Sequence, residues 1–450
     1  MLAKLAYLRE RLETSFWLIP VGVCALCGAA ALATLWADRA LTGVYQLLPI
    51  SDMSLDSARQ LLGVIAGSVI SVGGVAFSIT MVALTLTSGQ YGPKIVRRFL
   101  EDVGAKICLG LFLGTFIFAL VALAGLAATD SPRLIVAIAL ALALLALLSF
   151  IHFIHSTATD LQADKIIERL GGQLREALSA VCDGGQQDGR QYGTLGWRRA
   201  ARGRRGREIA SRAAGYVETI DYRMLVEWCA KRDCQLMLRV RPGDLVLDGV
   251  CLFKVFGGAP EAVEADFESL QDSIVAGPVR TPAQDPEFPI TQLHQLVARA
   301  LSPGVNDPGT AITCIDWFSL SLVAVIDRDL PGCVFEDADG MPRLLARGQT
   351  FAQLIEAIYA PLREMSGASR AVRARLLESL GWLSQLTVRR DRLALLAQHG
   401  QRIWHAIEAD GLAPYDLMPL RSRYRKLLAL STGLPPGAER GRRRVPGGGA

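Results

Sequence analysis

Four long stretches near the start of the chain carry no charged side chain: Phe16 to Ala37, Leu61 to Ser88, Ile107 to Thr129 and Leu134 to Ile151. A helix needs about 20 apolar residues to cross the hydrocarbon core of a bilayer, and each stretch meets or approaches that length once its flanks and a modest tilt are counted. Four spanning helices are therefore expected. The first stretch, at roughly 22 residues, exceeds the 7–15-residue apolar region of a signal peptide and reads as an uncleaved anchor.

Basic residues near the span ends set the expected orientation. Lys4, Arg9 and Arg11 precede span one, and Lys94, Arg97, Arg98 and Lys106 lie between spans two and three. The other two connections hold only Arg39 and Arg59, or Arg133 alone. Both termini and everything beyond residue 155 are then cytoplasmic. Composition is consistent with a membrane segment joined to an ordinary soluble part, since 51% of 450 residues are hydrophobic while the chain beyond His155 is normally charged. The net charge of +5 specifies no partner, and with only seven Lys among 48 basic residues the Arg content is not read as phosphate recognition. No nucleic-acid partner is expected. Nine Cys are scattered without a paired framework, as suits buried thiols in a reducing compartment.

Span two is the most patterned. Gly67, Ser71, Gly74, Ser78, Met81, Thr85 and Ser88 recur at alternating spacings of four and three, which places small or hydroxylated side chains along one helical stripe. Such a stripe suits close helix packing, and equally a pore or solute path in an oligomer. Gly110 and Gly114 give span three a shorter packing motif. The spans hold no ionisable residue of the kind that proton relays and ion-coupled carriers use, so a proton-driven transporter is disfavoured. His152 and His155 sit at the end of span four without partners for a metal, and Cys24 and Cys27 lack a second pair. After span two, Gly89 to Pro93 should end the helix. Lys94, Arg97 and Arg98 then alternate with Ile95, Val96, Phe99 and Leu100, either as a short amphipathic helix facing inner-leaflet lipids or as a solvated turn.

Residues 156–181 read as a helix extending span four, with Leu161, Ile166, Ile167, Leu170 and Leu174 on its apolar face. Residues 183–207 read as a linker with six Arg between Arg198 and Arg207; beside Trp197 they could hold lipid headgroups or simply be solvated. A helix fits Tyr222 to Lys231, and strands fit Gln235 to Val240 and the alternation from Leu245 to Val255. The stretch from Gly243 to Leu252 resembles the turn of barrel-sandwich folds, but no modifiable Lys sits in a matching hairpin. A small β-barrel-like module without cofactor is expected there.

The densest motif runs from Ala300 to Ala311, ALSPGVNDPGTA, between helices expected at 290–301 and 310–326. Asp307 and Pro308 are explained by capping the second helix. Ser302, Asn306 and the upstream Asp285 are not, so together with Asp307 these polar positions form a candidate ligand or hydrogen-bond node. Asp337-Ala338-Asp339-Gly340 fails as a calcium loop and reads as a hairpin turn. Residues 350–365, 369–389, 391–410 and 414–430 read as amphipathic helices, and the tail from Thr432 as disorder.

Two of these segments together resemble a bacterial family of predicted membrane proteins, domain of unknown function 2254. They are Phe77-Ser78-Ile79-Thr80-Met81-Val82-Ala83-Leu84, followed by Gln90 and Pro93, and the 300–311 loop. The chain departs from it at Pro289, where the family reads Phe-Gly-Ile. The resemblance implies topology, in a bacterial inner (plasma) membrane, and no activity.

The fold class expected is an α-helical membrane protein: four transmembrane helices, then a cytoplasmic α+β region with a small β-barrel-like module and a C-terminal helical subdomain. The boundaries are 1–155 for the membrane domain, 156–207 for the helical extension and linker, 208–282 for the β-rich module, 283–431 for the helical part and 432–450 for the tail. No Walker loop, HExxH, nucleophile elbow or kinase signature occurs, so no enzyme, metal or cofactor is expected. The function expected is a homo-oligomer in contact with membrane lipids, conducting or gating an ion or small solute under control of its cytoplasmic part. A membrane-anchored scaffold or sensor is the alternative. The pore or packing stripe is Gly67, Ser71, Gly74, Ser78, Thr85 and Ser88.

Overall fold

The computed structural model describes residues 17–40, 54–91, 103–126, 133–160, 162–184, 194–212, 214–258, 267–282, 284–328, 330, 334–367 and 369–432. Two compact units divide the chain, Met1–Gln162 and Ala163–Ala450.

The first unit contains α1 (Leu18–Ala40), α2 (Leu55–Tyr91), α3 (Val103–Gly125) and α4 (Arg133–Asp160). All four are long and apolar enough to cross a membrane, matching the four uncharged stretches. α3 packs against the other three. Its sequence explains why: Gly110 and Gly114 let α1 approach so closely that a Cβ at Gly110 would lie 3.0 Å from Val23 and one at Gly114 2.8 Å from Cys27. Phe112 meets Phe150 of α4 edge-on at 5.7 Å, and Phe77 of α2 stacks on Phe153 at 5.5 Å. Outward-facing Leu26, Leu32, Leu144 and Leu148 leave an apolar exterior suited to lipid.

In the second unit, α5 (Ala163–Gly184) is a helix distinct from α4, so the expected single extension is two helices. The expected linker holds a short helix, α6 (Thr194–Ala200), whose Trp197 is buried edge-on against Phe256 at 5.3 Å. Next come β1 (Gly206–Ala210), β2 (Gly215–Ile220), α7 (Tyr222–Lys231), β3 (Cys234–Leu238), β4 (Leu245–Val246), β5 (Cys251–Gly257), α8 (Phe267–Asp272) and β6 (Ile274–Gly277). The chain continues through α9 (Glu287–Ala300), α10 (Pro308–Val323), β7 (Val334–Glu336), β8 (Pro342–Leu345), α11 (Phe351–Met365), α12 (Arg370–Gln385), α13 (Arg390–Ala409) and α14 (Pro414–Thr432).

The expected barrel-like module does not close. The strands form two open sheets, ordered β1-β5-β3-β8-β7 and β4-β2-β6. The first sheet also recruits the distant β7–β8 hairpin, which adds to β3 in parallel with Leu236 opposite Leu344. Both sheets and α7 share one core, centred on Leu225, Leu236, Phe253 and Val217. The hairpin turns where expected, with Gly340 at φ +73° and Asp337 Oδ1 accepting from the Asp339 and Met341 amides.

Capping residues fix the helical part as the sequence indicates. Asp307 Oδ1 accepts from the Thr310 amide, Pro308 occupies the first helical position of α10, and Thr350 and Gln353 form a capping box on α11. α12 stops at Gln385, short of the expected 389, because the Thr387 hydroxyl donates to Asp327 at 2.5 Å and accepts the Arg389 amide at 3.2 Å.

Candidate functional site

On α2 the buried face is Leu62, Ile65, Ala66, Val69, Gly73 and Ala76, against α3 and α4. Gly67, Ser71, Gly74, Ser78 and Thr85 are all exposed, and Cβ atoms at Gly67 and Gly74 would meet nothing within 4 Å. At 100° per residue the two faces lie about 140° apart round the helix. Among the described residues of the first unit, the glycines packed tightly against a neighbouring helix are therefore Gly110, Gly114 and Gly125 of α3, together with Gly73, whose Cβ would lie 2.9 Å from Phe112. The stripe of α2 points away from them. The Thr85 hydroxyl is satisfied by the Met81 carbonyl at 2.8 Å. The Ser88 side chain and Lys94, Arg97 and Arg98 lie outside the described residues.

Polar residues that the uncharged stretches hide from view sit at their flanks. Asp38, next after the first stretch, is buried and accepts the Ile135 amide at the start of α4, a carboxylate on a helix N-terminus. Arg59 donates to the Leu126 carbonyl at the end of α3. Lys106, just before the third stretch, is buried. Their signal was position: a charge immediately beside an apolar run is either interfacial or turned inward.

The expected polar node separates into two places. Asp285 lies at the N-terminal end of α9, whereas Ser302, Asn306 and Asp307 follow its C-terminal end, and 14 helical residues, roughly 21 Å, intervene. Ser302 Oγ donates to the Arg299 carbonyl, the Ser302 carbonyl receives the Val305 and Asn306 amides, and Asn306 takes φ +46°. The Asp307 amide closes the loop onto the Ala300 carbonyl at 2.7 Å. Hydrogen bonds from Thr310 hold the Asp307 carboxyl below the usual carboxylate range. This loop is an exposed, self-satisfied helix connector.

Asp285 instead belongs to an ion-pair hub. It is buried, takes both Nε and Nη2 of Arg280 at 2.9 and 2.5 Å, and accepts the Glu287 amide at 3.0 Å. Burial pushes its carboxyl up, against the pull of Arg280. Gly243, at φ +89°, passes so close to Asp285 and Arg280 that no Cβ fits. Beside the hub, the ends of β3 and β8 and the starts of α9 and α11 enclose a cleft of about 610 Å³. Its guanidinium groups are matched by carboxylates: Arg239 with Glu208 at 3.0 Å, Arg241 with Glu287 at 2.7 Å and Arg347 with Asp244 at 3.2 Å. A polar solute can enter such a lining by exchanging these pairs, at little cost where they are solvent-exposed. The Arg241-Pro242-Gly243-Asp244 turn was the available signal, and turn chemistry alone explained it.

The helical core holds a second polar system. Ser319 Oγ donates to the Ile315 carbonyl at 2.8 Å, so Ser379 Oγ donates to it at 2.7 Å, and Tyr359 OH donates to Ser379 at 2.5 Å. Burial pushes the Tyr359 phenol well up. Nearby, His399 is buried with Nε2 3.5 Å from Glu356 Oε2. Burial lowers the His399 pKa against the pull of Glu356, and Arg402 holds Glu356 low.

Among known proteins, the chain is similar to an uncharacterized protein of Mycobacterium tuberculosis, Rv1290c, and to one of Mycobacterium bovis, Mb1321c. Each is 25% identical over 418 residues, covering 89% of this chain and 79% of the relative. No solved structure matches it. Residues 13–381 match the profile of a family described as predicted membrane protein, and the chain belongs to that family, DUF2254.

Proposed function

We propose that this protein is a multi-pass protein of the bacterial inner membrane with both termini cytoplasmic, and that its copies meet along the exposed stripe of α2 around a path for an ion or small solute. The second unit acts as regulator, with the cleft at Arg239, Arg241 and Arg347 as the place for a small polar effector. No catalysis is assigned. The observation that carries the reading is the direction of Gly67, Ser71, Gly74 and Ser78, which face away from the helices of their own chain. Small residues on an otherwise Leu- and Val-rich spanning helix suit a neighbouring backbone or water better than lipid tails. The basic Lys94, Arg97 and Arg98 after span two support the orientation.

A scaffold or sensor that transports nothing is favoured by one detail, the self-satisfied Thr85 hydroxyl, which needs no water. Copy number in lipid nanodiscs by native mass spectrometry, with Gly74→Leu and Ser78→Leu, tests the assembly. The proposal expects an oligomer lost in both variants, and a monomer in the unaltered protein would overturn it. Current across planar bilayers then separates path from scaffold: a silent, intact oligomer leaves only the scaffold.

A further inference from the structure

The expected linker carries six arginines between Arg198 and Arg207, and from 194 to 210 its single carboxylate is Glu208. The fold fixes this stretch instead of leaving it loose. Trp197 and Ala201 are buried beside Val334 in a small core of their own, with Met237, Phe256 and Leu345 packed against it. The last turn of α6 carries on past Ala200, with the Ala201 amide on the Trp197 carbonyl at 2.9 Å and the Arg202 amide on the Arg199 carbonyl at 3.2 Å. Gly203 then turns the chain at φ +80°, and Arg204 reaches back to donate to Gln235 Oε1 at 2.9 Å and to the Asp233 carbonyl at 3.3 Å. At 100° per residue, Trp197 and Ala201 point inward within about 40° of each other, and Arg198, Arg202 and Arg199 fan across an arc of roughly 100° on the outer side. All three are exposed.

These three guanidinium groups have no carboxylate partner among the described residues. The nearby acids are taken: Glu208 by Arg239 at 3.0 Å and Lys254 at 3.3 Å, and Asp233 by Arg343 at 2.8 Å. Arg212, Arg223, Arg370 and Arg402 are exposed too, yet each faces a carboxylate. Arg198 and Arg202 stand four residues apart and Arg199 and Arg202 three apart, spacings at which like charges destabilise a helix. An external anion removes that repulsion. The arginines stand on an open helix face, whereas a small anion is normally held in a cleft, so what fits them is an extended layer of negative charge. The Trp197 ring is turned inward and offers no platform for stacking nucleobases. The chain carries four helices long and apolar enough to cross a membrane, so a phospholipid headgroup layer is the extended anionic surface that always accompanies it.

We propose that Arg198, Arg199 and Arg202 form an electrostatic contact for the phosphates of anionic phospholipid headgroups, made at the surface without insertion of apolar side chains. It stands apart from conduction and from assembly along α2. Each arginine near such a surface favours the bound state about fivefold, and three together about a hundredfold. The test is arginine footprinting. Full-length protein in nanodiscs of phosphatidylcholine, or of phosphatidylcholine with phosphatidylglycerol, is treated with phenylglyoxal, and modification is quantified at each arginine by mass spectrometry. Arg421 and Arg425 of α14, exposed and likewise without a carboxylate partner among the described residues, are the internal reference. Modification of Arg198, Arg199 and Arg202 should slow about fivefold or more with phosphatidylglycerol relative to that reference, and the protection should be lost in about 0.5 M salt. Equal rates in the two kinds of disc would overturn the proposal, whether the patch is open in both or covered in both by a second copy. Slowing of Arg421 and Arg425 by the same factor would also overturn it. Protection by an added oligonucleotide in phosphatidylcholine discs, with none from phosphatidylglycerol, would overturn it in favour of a nucleic acid. Protection that survives the salt would do so as well, because a contact without apolar insertion has only charge to hold it.

Discussion

Adjacent glycines in α5 should respond to the same substitution with opposite sign. A Cβ on Gly171 would lie 2.7 Å from Trp317 Cδ2 and 2.9 Å from its Cβ, inside the packed junction with α10, whereas a Cβ on Gly172 would meet nothing within 4 Å. Replacing a mid-helix glycine by alanine is worth about 1 kcal/mol in helix propensity at either place. At Gly172 that gain stands alone, so Gly172→Ala should stabilise by about 0.5–1 kcal/mol. At Gly171 it is set against overpacking of about 1–3 kcal/mol, because Trp317 must shift within a close-packed interface. Gly171→Ala should then be neutral or destabilising by up to about 2 kcal/mol, and the difference between the two variants, in which propensity cancels, should be about 1–3 kcal/mol. Urea unfolding of the full-length protein in detergent, followed by hydrogen exchange of α10 peptides, reads both. Equal stabilisation by the two alanines would refute the packing of α5 on α10.

Arg343 is buried between Asp337 at 2.6 Å and Asp233 at 2.8 Å and also donates to the Cys234 carbonyl. Arg343→Met should cost about 3–5 kcal/mol by stranding the buried Asp337, and thermal unfolding with an added Asp337→Asn should recover part of that. His399 titrates below its ordinary range, chiefly through burial. The unfolded chain therefore binds a proton that the folded one refuses, so stability should be full above about pH 6.5 and fall as pH drops below it. His399→Gln should flatten that slope in urea titrations across this range, and an unchanged slope would remove His399 as its origin. In the membrane unit, Gly114→Leu should destabilise the α1–α3 contact within one copy, while Gly74→Leu should leave the melting of the monomer unchanged and alter only assembly. Thermal scans of detergent-solubilised protein, paired with native mass spectrometry, check both.

Local chemistry made much of this molecule readable before folding. The four candidate spans follow from runs without charge, the start of α10 from Asp307 and Pro308, and the β7–β8 turn from Asp339 and Gly340. Each of these is decided within a few residues. What stayed hidden depends on partners distant in sequence. The pairing of Leu236 with Leu344 joins segments about a hundred residues apart, so the first sheet reaches beyond the stretch in which a barrel was expected. Asp285 looked like a neighbour of the 302–307 loop because both stood near one motif, yet a rigid helix holds them apart. The Arg280 and Arg241 hub needed the fold to bring 241, 280 and 287 together. The stripe of α2 was legible as a stripe, but its direction was not, since periodicity gives a face and not what it faces.

The central claim is that the α2 stripe lines a path between copies. Its most direct test is current through planar bilayers containing Ser78→Cys protein in which Cys24, Cys27 and Cys108 are replaced by Ala. The expected result is a conductance present before treatment and blocked by a small, charged, water-soluble thiol reagent at position 78, and not by the same reagent on Ser68→Cys, which lies on another face of the helix. No conductance in a verified oligomer, or conductance indifferent to modification at 78, would contradict it.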